Sequence, residues 1–274
     1  MKKVVPQDPR REFLRTFQDL TRGRYTAWEI WSDWLVLASS AIYNSVHQDP
    51  AIEAQYMAVV GRYDKTQADA MAHLLALVVE DLDTEPGDFL GGIFHELELH
   101  NEAKGQFFTP YDLCRMMAAT MVPEAPGSGH VLRVGEPACG SGAMVIAFSE
   151  VARAAGIEQG AVFYSLRDLD DRAFRMAYIQ CSLLGLAAEV ERGNTLTMEI
   201  DMRWRTPGYY LHDMGTRLMA DELLRLTKGD GDGSVGMVPG GSSMESAEPT
   251  KTNAPLELAS DVTLPQPEQM ELFA

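Results

Sequence analysis

Residues 130–156 read HVLRVGEPACGSGAMVIAFSEVARAAG, and the fold of the chain follows from this stretch. It begins with a short run of β-forming residues, 130–134, continues through the glycine-rich turn EPACGSG at 136–142, and ends in an apolar helix. A strand that leads through a glycine-rich turn into a helix is typical of doubly wound sheets. In such sheets the crevice at the carboxyl ends of the strands binds nucleotide-like ligands.

The residues that follow repeat this alternation. AVFYSL at 161–166 is a second strand candidate, a helix is expected from about 171 to 184, and AEVER at 188–192 is a third strand candidate. Alternating strands and helices with short connections predict a parallel sheet with right-handed crossovers. We therefore expect an α/β fold for residues 105–226.

The first 104 residues are predicted to form a helical N-terminal domain. Apolar residues recur there at spacings of three and four, including Trp28, Trp31 and Trp34, which we expect to lie in the core. A break at 85–88 ends with Asp88, which is placed to cap the helix that begins at Phe89. Residues 227–274 are rich in Gly, Ser and Pro and are expected to form a disordered acidic tail.

Composition and charge exclude several classes of protein. The formal net charge of −17 disfavours a protein whose whole surface wraps nucleic acid, although residues 1–24 hold seven basic residues and three acidic ones. The three cysteines form no CxxC pair, so neither a disulfide scaffold nor a zinc site is expected. No apolar run reaches the roughly 18 residues of a transmembrane helix, and the start of the chain does not read as a signal peptide, so we expect a cytoplasmic protein.

Three further motifs accompany the glycine-rich turn. GQFFTP (105–110) precedes it, RDLD (167–170) follows the second strand, and GNTL (193–196) follows the third. An acidic residue after the second strand can accept both hydroxyls of a ribose, and a polar residue after the third can read an adenine edge.

Together, these four motifs in this order resemble those of the N6-adenine DNA methyltransferases, in particular the modification subunits of type I restriction systems and short, mobile-element-borne forms. The resemblance runs from about residue 88 to residue 196. It implies a Rossmann-like sheet and S-adenosylmethionine as the cofactor, with DNA as the substrate.

The resemblance also implies which residues hold the cofactor. The GQFFTP segment would lie over its methionine end, with Thr109 hydrogen-bonding and an aromatic ring packing. Asp168 would take the ribose hydroxyls, with Asp170 as the alternative, and Asn194 would take the adenine amino group. The full set of expected cofactor-binding residues is Gln106, Phe107, Thr109, Glu136, Ala138, Cys139, Gly140, Asp168 and Asn194.

One family motif is missing from the sequence. These enzymes carry (Asp/Asn/Ser)-Pro-Pro-(Tyr/Phe/Trp), whose aromatic ring stacks on the extruded base, and no such tetrapeptide occurs here. RTPGYY at 205–210 offers a proline and aromatic residues at a suitable distance beyond GNTL. The candidate catalytic residues are therefore Thr206, Pro207, Tyr209 and Tyr210, and the alternative is an ordinary turn before a short helix.

The α/β part is expected to be a truncated sheet. Three strands can be placed, or four if TPGYY is extended, whereas the family's sheet has seven. Open strand edges need a cover, which the N-terminal helices, a twin subunit or another protein would supply. The leading hypothesis is a DNA methyltransferase acting on adenine N6, with a partner for DNA recognition. The alternative is a catalytically inactive relative that binds DNA or partner proteins of a restriction or replication assembly.

The last seven residues, EQMELFA, resemble the peptide that binds the bacterial sliding clamp. Its pattern is Gln, an aliphatic residue, any residue, Leu and Phe, which here corresponds to Gln269, Met270, Leu272 and Phe273. Apolar anchors at the end of a flexible tether suit docking into a groove.

Overall fold

The computed structural model describes residues 8–97 and 109–228, together with the backbone of a short strand at 235–236. Its helices are α1 (Pro9–Thr21), α2 (Ala27–His47), α3 (Pro50–Val60), α4 (Lys65–Thr84), α5 (Phe89–Glu96), α6 (Tyr111–Met121), α7 (Ala143–Ala154), α8 (Asp171–Leu183), α9 (Pro207–Leu211) and α10 (Met214–Lys228). Its strands are β1 (Leu132–Glu136), β2 (Val162–Asp168), β3 (Ala188–Asn194), β4 (Glu199–Arg205) and β5 (Val235–Gly236).

The N-terminal helices begin at side chains that cap them. Thr26 forms a reciprocal capping box with Glu29 at the start of α2, and Asp64 forms one with Gln67 at the start of α4. Asp88 caps α5 through the backbone N–H of Gly91, as predicted. These contacts satisfy N–H groups that a helix leaves unpaired in its first turn.

An aromatic core holds the N-terminal helices together. Trp31 and Trp34 are buried, and both lie edge-on to Phe13 at centroid distances of 6.3 and 5.4 Å. The Trp34 indole N–H donates to the carbonyl of Met71, so its one polar group is satisfied. Trp28 is half-buried beneath the guanidinium of Arg172. The tryptophans therefore serve packing, as expected.

The sheet has the strand order β4-β3-β2-β1-β5. Strands β1, β2 and β3 are mutually parallel, and α7 and α8 form the crossovers between them. The predicted α/β fold with a helical N-terminal region is therefore confirmed. The two residues of β5 pair in parallel with β1 on its other side.

Strand β4 differs from the expected fourth strand. It lies antiparallel to β3 and forms a hairpin with it, whereas TPGYY is not extended and its residues 207–210 lie in α9. Oppositely charged side chains face each other across the hairpin: Arg203 pairs with Glu191, Arg205 with Glu189, and Arg192 with Asp201. Such cross-strand pairs favour this pairing and leave β4 as a charged edge.

Helix α8 joins the helical region to the sheet. Residues 173–182 are all buried. Met176 and Ile179 pack into the N-terminal core, whereas Phe174, Tyr178 and Cys181 pack into the core of the sheet. All described residues fall within one compact unit, Met1–Met237. The predicted domain boundary at 104/105 lies outside the described residues, as do 229–234 and 237–274 of the predicted tail.

Among residues 8–97 and 109–228, no helix is both long enough and apolar enough to span a bilayer.

Candidate functional site

The loops after the three parallel strands meet at one edge of the sheet. Strands β1, β2 and β3 end at Glu136, Asp168 and Asn194. The backbone N–H of Gly140 donates to Asp168 Oδ2 at 2.9 Å, and that of Cys139 donates to the carbonyl of Arg167 at 2.9 Å. The loops after β1 and β2 are therefore in direct contact.

The glycine-rich turn needs glycine for its backbone. Gly140 and Gly142 have φ angles of +53° and +94°, in the left-handed region that other residues rarely adopt. A Cβ on Gly142 would also lie 3.5 Å from Ala177 in α8. The turn thus passes close to α8 and then starts α7, whose N-terminus carries a partial positive charge.

The turn is held by protein acceptors. The N–H groups of Ala138, Cys139 and Gly140, which the resemblance assigns to the cofactor, donate to Glu136 Oε1, the Arg167 carbonyl and Asp168 Oδ2. Binding a ligand through these N–H groups therefore requires them to exchange partners. The side chains of Glu136 and Asp168 are both half-buried, so their oxygens remain partly accessible to a ligand.

Two carboxylates lie close together in the site. Asp168 accepts one N–H at each oxygen, from Gly140 and from Asp170 at 2.9 Å, and each oxygen keeps a second lone pair for a hydroxyl. Burial raises the pKa of Glu136, and the negative charge of Asp168 raises it further, while the hydrogen bond from Ala138 opposes the shift. A positively charged ligand beside Glu136 would stabilise the ionised form of this carboxylate, so the site favours a cationic ligand.

Asp170 caps the N-terminus of α8. Burial alone would raise its pKa, but hydrogen bonds and charge from Arg172 outweigh burial and lower the pKa. Its carboxylate also accepts the N–H of Arg172 at the start of α8. The geometry thus favours Asp168 over Asp170 as the ribose ligand.

The Cys139 side chain points into the protein. It is buried, and burial raises the pKa of its thiol well above the usual value, with Asp168 adding to the shift. The thiol is therefore neutral and packs within the turn.

The loop after β3 completes this edge. Thr195 donates its hydroxyl to the carbonyl of Pro137 at 2.6 Å, so it ties the third loop to the first. Asn194 Oδ1 accepts the N–H groups of Leu196 and Thr197 at 2.9 and 3.3 Å and so forms the turn into β4. The oxygen expected to accept from an adenine amino group therefore already has two local donors.

The GQFFTP segment is described only in part. Thr109 is exposed and lies just before α6, whereas Gln106, Phe107 and Phe108 lie outside the described residues.

The candidate catalytic residues lie at the other end of the sheet. Because β4 runs antiparallel to β3, Thr206 reaches the start of β3, where its N–H donates to the carbonyl of Ala188 at 3.0 Å. Asn194 marks the opposite end of β3, roughly 20 Å away at about 3.3 Å per residue. The structure therefore does not bring Thr206, Pro207, Tyr209 and Tyr210 to the loops at the carboxyl edge, and the alternative of a turn before a short helix describes them.

Three side chains that support the glycine turn, those of Asp88, Ser141 and Gln180, were not predicted from the sequence as parts of the site. The Ser141 hydroxyl donates to Asp88 Oδ2 at 2.7 Å, and Gln180 Nε2 donates to the carbonyl of Ser141 at 2.8 Å. Ser141 lies inside the quoted motif and Asp88 was identified only as a helix cap. Their contact spans 53 positions of sequence, so no local pattern indicates it.

In the part of the chain that the structure describes, no three His, Cys, Asp or Glu side chains come together as a metal-binding group.

The parallel strands β1, β2 and β3, the glycine turn and the adjoining carboxylate have the arrangement that is typical of nucleotide-binding α/β domains. Residues 87–207 match the family model of the N-6 DNA methylases. The resemblance predicted from the four motifs is thereby confirmed over this segment, and S-adenosylmethionine is confirmed as the cofactor of the matched family.

Solved structures also match the chain. One is a putative class I S-adenosylmethionine-dependent methyltransferase from Listeria monocytogenes, at 10% identity and a TM-score of 0.37, covering 69% of this chain and 54% of that one. Another is the methyltransferase subunit of a type I restriction-modification system from Streptococcus thermophilus, at 16% identity and a TM-score of 0.34, covering 69% and 48%. The chain thus spans about half the length of these structures. No curated protein matches it.

The residues at the carboxyl edge fit S-adenosylmethionine. Its ammonium and sulfonium groups are positive, and the paired carboxylates Glu136 and Asp168 favour a cation. The free lone pairs of Asp168 suit a ribose diol.

Proposed function

We propose that this protein is a cytoplasmic, S-adenosylmethionine-dependent DNA methyltransferase that acts on adenine N6. The observation that carries the proposal is the glycine turn 136–142, which is bound at 2.9 Å to Asp168 beside a second, half-buried carboxylate, Glu136. The match of residues 87–207 to the N-6 DNA methylases supports the same function.

In this proposal each side chain has a defined task. Glu136 binds the ammonium group of the cofactor, Asp168 accepts the ribose hydroxyls, and Asn194 lies beside the adenine. S-adenosylmethionine supplies an activated methyl group. The protein's own contribution is to fix that group in line with the attacking amine, because positioning removes much of the entropic barrier to transfer.

A partner is part of the proposal. The sequence contains no Pro-Pro-aromatic tetrapeptide, and Thr206–Tyr210 lies at the other end of the sheet. We therefore propose that a specificity subunit, or a second copy of the chain, binds the target base and recognises the DNA.

The same two observations favour a second candidate function. A protein that binds the cofactor but cannot hold a target base would act as a non-catalytic modulator of a restriction or replication assembly. Cofactor binding is common to both candidates, so only methyl transfer separates them.

The experiment is methyl transfer from labelled S-adenosylmethionine. The purified protein is incubated with mixed-sequence DNA, alone and with a cell extract as the source of a partner, and N6-methyladenine is measured by mass spectrometry. An Asp168→Ala variant in the same extract is the matched control for background methylation. N6-methyladenine that depends on Asp168 supports the enzyme, whereas cofactor binding without transfer in both arms supports the modulator.

The C-terminal peptide carries a separate proposal. Gln269, Met270, Leu272 and Phe273 lie outside the described residues, and their likeness to a sliding-clamp-binding peptide comes from the sequence alone. The net negative charge of this protein disfavours DNA binding on its own. Docking on the clamp would hold the protein close to DNA and so raise the effective DNA concentration. Fluorescence anisotropy of a peptide covering 265–274 tests this: we expect micromolar-range binding that a Leu272→Ala, Phe273→Ala double variant loses. Absence of binding by the natural peptide would contradict it.

A further inference from the structure

A buried carboxylate, that of Asp88, lies against the glycine turn. The side chain of Asp88 is enclosed, and its two oxygens accept three hydrogen bonds. Oδ1 accepts the N–H of Gly91 at 3.0 Å and the amide of Gln180 at 2.9 Å, and Oδ2 accepts the hydroxyl of Ser141 at 2.7 Å. One side chain thus joins α5, α8 and the glycine turn.

Gln180 forms a second bridge across the same three elements. Its Oε1 accepts the N–H of Leu90 in α5 at 2.9 Å, and its Nε2 donates to the carbonyl of Ser141 at 2.8 Å. Ser141 is therefore held at both its hydroxyl and its carbonyl. It lies between Gly140 and Gly142, the two residues with positive φ, so these contacts act on the part of the turn that has the least conformational restraint of its own.

Gly91 packs directly against this network. A Cβ on Gly91 would collide with the Asp88 carboxylate and lie 2.5 Å from Ser141 Oγ. Glycine at position 91 is thus what allows α5 to approach the turn. The neighbouring Gly92 differs, because a Cβ there would meet only the guanidinium end of Arg10, 2.8 Å away on an exposed and flexible side chain.

Burying a carboxylate is costly unless donors compensate it. Burial raises the pKa of Asp88, and the hydrogen bonds from Gln180, Ser141 and Gly91 oppose the shift. Three donors directed at one enclosed carboxylate form a rigid arrangement, since each oxygen is satisfied only when α5, α8 and the turn hold their positions.

We propose that Asp88 is a positioning residue for cofactor binding: through Ser141 it fixes the glycine turn, and through Gly91 it fixes α5 against that turn. The inference rests on the proposed function, because it assumes that the turn holds S-adenosylmethionine. In the sequence, the segment after α5 leads to GQFFTP, so the same contact sets where the chain departs toward that motif. In this proposal Asp88 acts through Ser141 and Gly91 and not through a contact of its own with the cofactor.

The first test is calorimetry of S-adenosylmethionine binding to Asp88→Asn, Ser141→Ala and the double variant, at a temperature where each is folded. We expect about a tenfold weaker affinity for Asp88→Asn. The double variant should bind no more weakly than Asp88→Asn alone, because Asp88 acts through Ser141. The control is Leu74→Ala, a buried change in the N-terminal core that lowers Tm but should leave the Kd within about twofold.

The second test uses the two adjacent glycines and does not alter the carboxylate. Gly91→Ala and Gly92→Ala add the same methyl group to the same helix. We expect Gly91→Ala to weaken S-adenosylmethionine binding at least tenfold and Gly92→Ala to leave it unchanged. Circular dichroism at the binding temperature checks that both variants are folded.

The outcomes separate the two proposals. Wild-type affinity in both Asp88→Asn and Gly91→Ala, while wild-type protein binds the cofactor, would overturn the positioning role and leave the proposed function intact. An equal loss of affinity in Leu74→Ala would show that Asp88 contributes only to stability. Failure of the wild-type protein to bind S-adenosylmethionine would overturn both.

Discussion

The two ends of the sheet use similar residue types for different purposes. At the carboxyl end, loops after three strands contact one another through Gly140, Asp168, Thr195 and Pro137, and they leave carboxylate oxygens with free lone pairs. At the opposite end, the hydroxyl of Thr206 is fully buried and donates to the carbonyl of Leu186 at 2.6 Å. Polar side chains at the first end thus keep hydrogen-bonding capacity, whereas the Thr206 hydroxyl at the second end is satisfied within the protein.

The aromatic residues near Thr206 also serve packing. Trp204, just before Thr206, stacks on Tyr43 at 4.4 Å and meets Phe174 and Tyr178 edge-on. Gly208 fits directly against the backbone of residues 185 and 186, where no Cβ could be placed. A proline beside aromatic residues therefore does not by itself indicate base stacking, because such a segment also closes the end of a core.

The largest expected effect concerns this packed end. Trp204→Ala should lower the free energy of unfolding by about 3–5 kcal/mol, since it leaves a cavity among aromatic rings. Urea unfolding followed by circular dichroism measures it. The matched control is Leu211→Ala in the adjoining α9, where an 80% exposed side chain should cost less than about 0.5 kcal/mol. A small loss for Trp204→Ala would mean that this end of the sheet is not a structural core.

A smaller effect is expected at the buried hydroxyl. Thr206→Val keeps the shape of the side chain but removes the acceptor of the Ala188 N–H and the donor to Leu186. We expect a loss of about 1–3 kcal/mol in unfolding free energy, the cost of unpaired buried groups. Thr206→Ser retains both hydrogen bonds and serves as the control. If Thr206→Val reduces methylation without reducing stability, the purely structural assignment of this end is wrong.

The sequence predicts the carboxyl end better than the opposite one. Gly140, Gly142 and Asp168 lie at or just after the ends of short β-forming runs, and local rules place such residues at the carboxyl ends of parallel strands. The direction of β4 depends on pairs such as Arg203 with Glu191, which form only when the two strands meet. Its alternating charges indicate an edge strand, but not on which side of the sheet or in which direction.

The contact between Asp88 and Ser141 could not be predicted from the sequence because it is long-range. Asp88 reads correctly as a helix cap from its neighbours alone, yet its contact with Ser141 depends on how α5 packs against α8. Helix α8 is buried on nearly all sides. The spacing of apolar residues in its sequence therefore cannot show which face of α8 packs against α5 and which against the sheet.

The carboxyl end should respond to pH. The raised pKa of Glu136 means that ionising it costs stability in the free protein, so its contribution to stability is greatest below the usual carboxyl value of 4.5 and declines as pH rises through the raised pKa. A bound ammonium group offsets that cost. We therefore expect S-adenosylmethionine affinity to fall by about tenfold as pH is lowered through the pKa of Glu136.

Calorimetry across this pH range measures the effect, with Glu136→Gln as the variant. The glutamine cannot ionise, so its affinity should be weak at neutral pH and should not fall further through the same transition. A transition that persists unchanged in Glu136→Gln would assign the titrating group elsewhere.

The smallest effect is expected for Tyr210. Its hydroxyl lies 3.4 Å from His47 Nε2 and the side chain is 43% exposed, so Tyr210→Phe should change the unfolding free energy by less than about 0.5 kcal/mol. Tyr210→Phe and wild-type protein are compared in the methyl-transfer assay, where we expect equal product. If Tyr210→Phe gives less product than the wild-type protein, Tyr210 takes part in catalysis as the sequence first suggested.

The most direct test of a cofactor site at the carboxyl end is calorimetric titration of S-adenosylmethionine into wild-type protein and Asp168→Ala. We expect binding by the wild-type protein and a loss of about 1–3 kcal/mol of binding free energy in Asp168→Ala, because polar groups of the ribose and the turn lose their acceptor. Asp201→Ala, which removes an exposed aspartate from the neighbouring hairpin, should bind as wild type does. Equal affinity in wild type and Asp168→Ala would contradict the assignment of this edge of the sheet as the cofactor site.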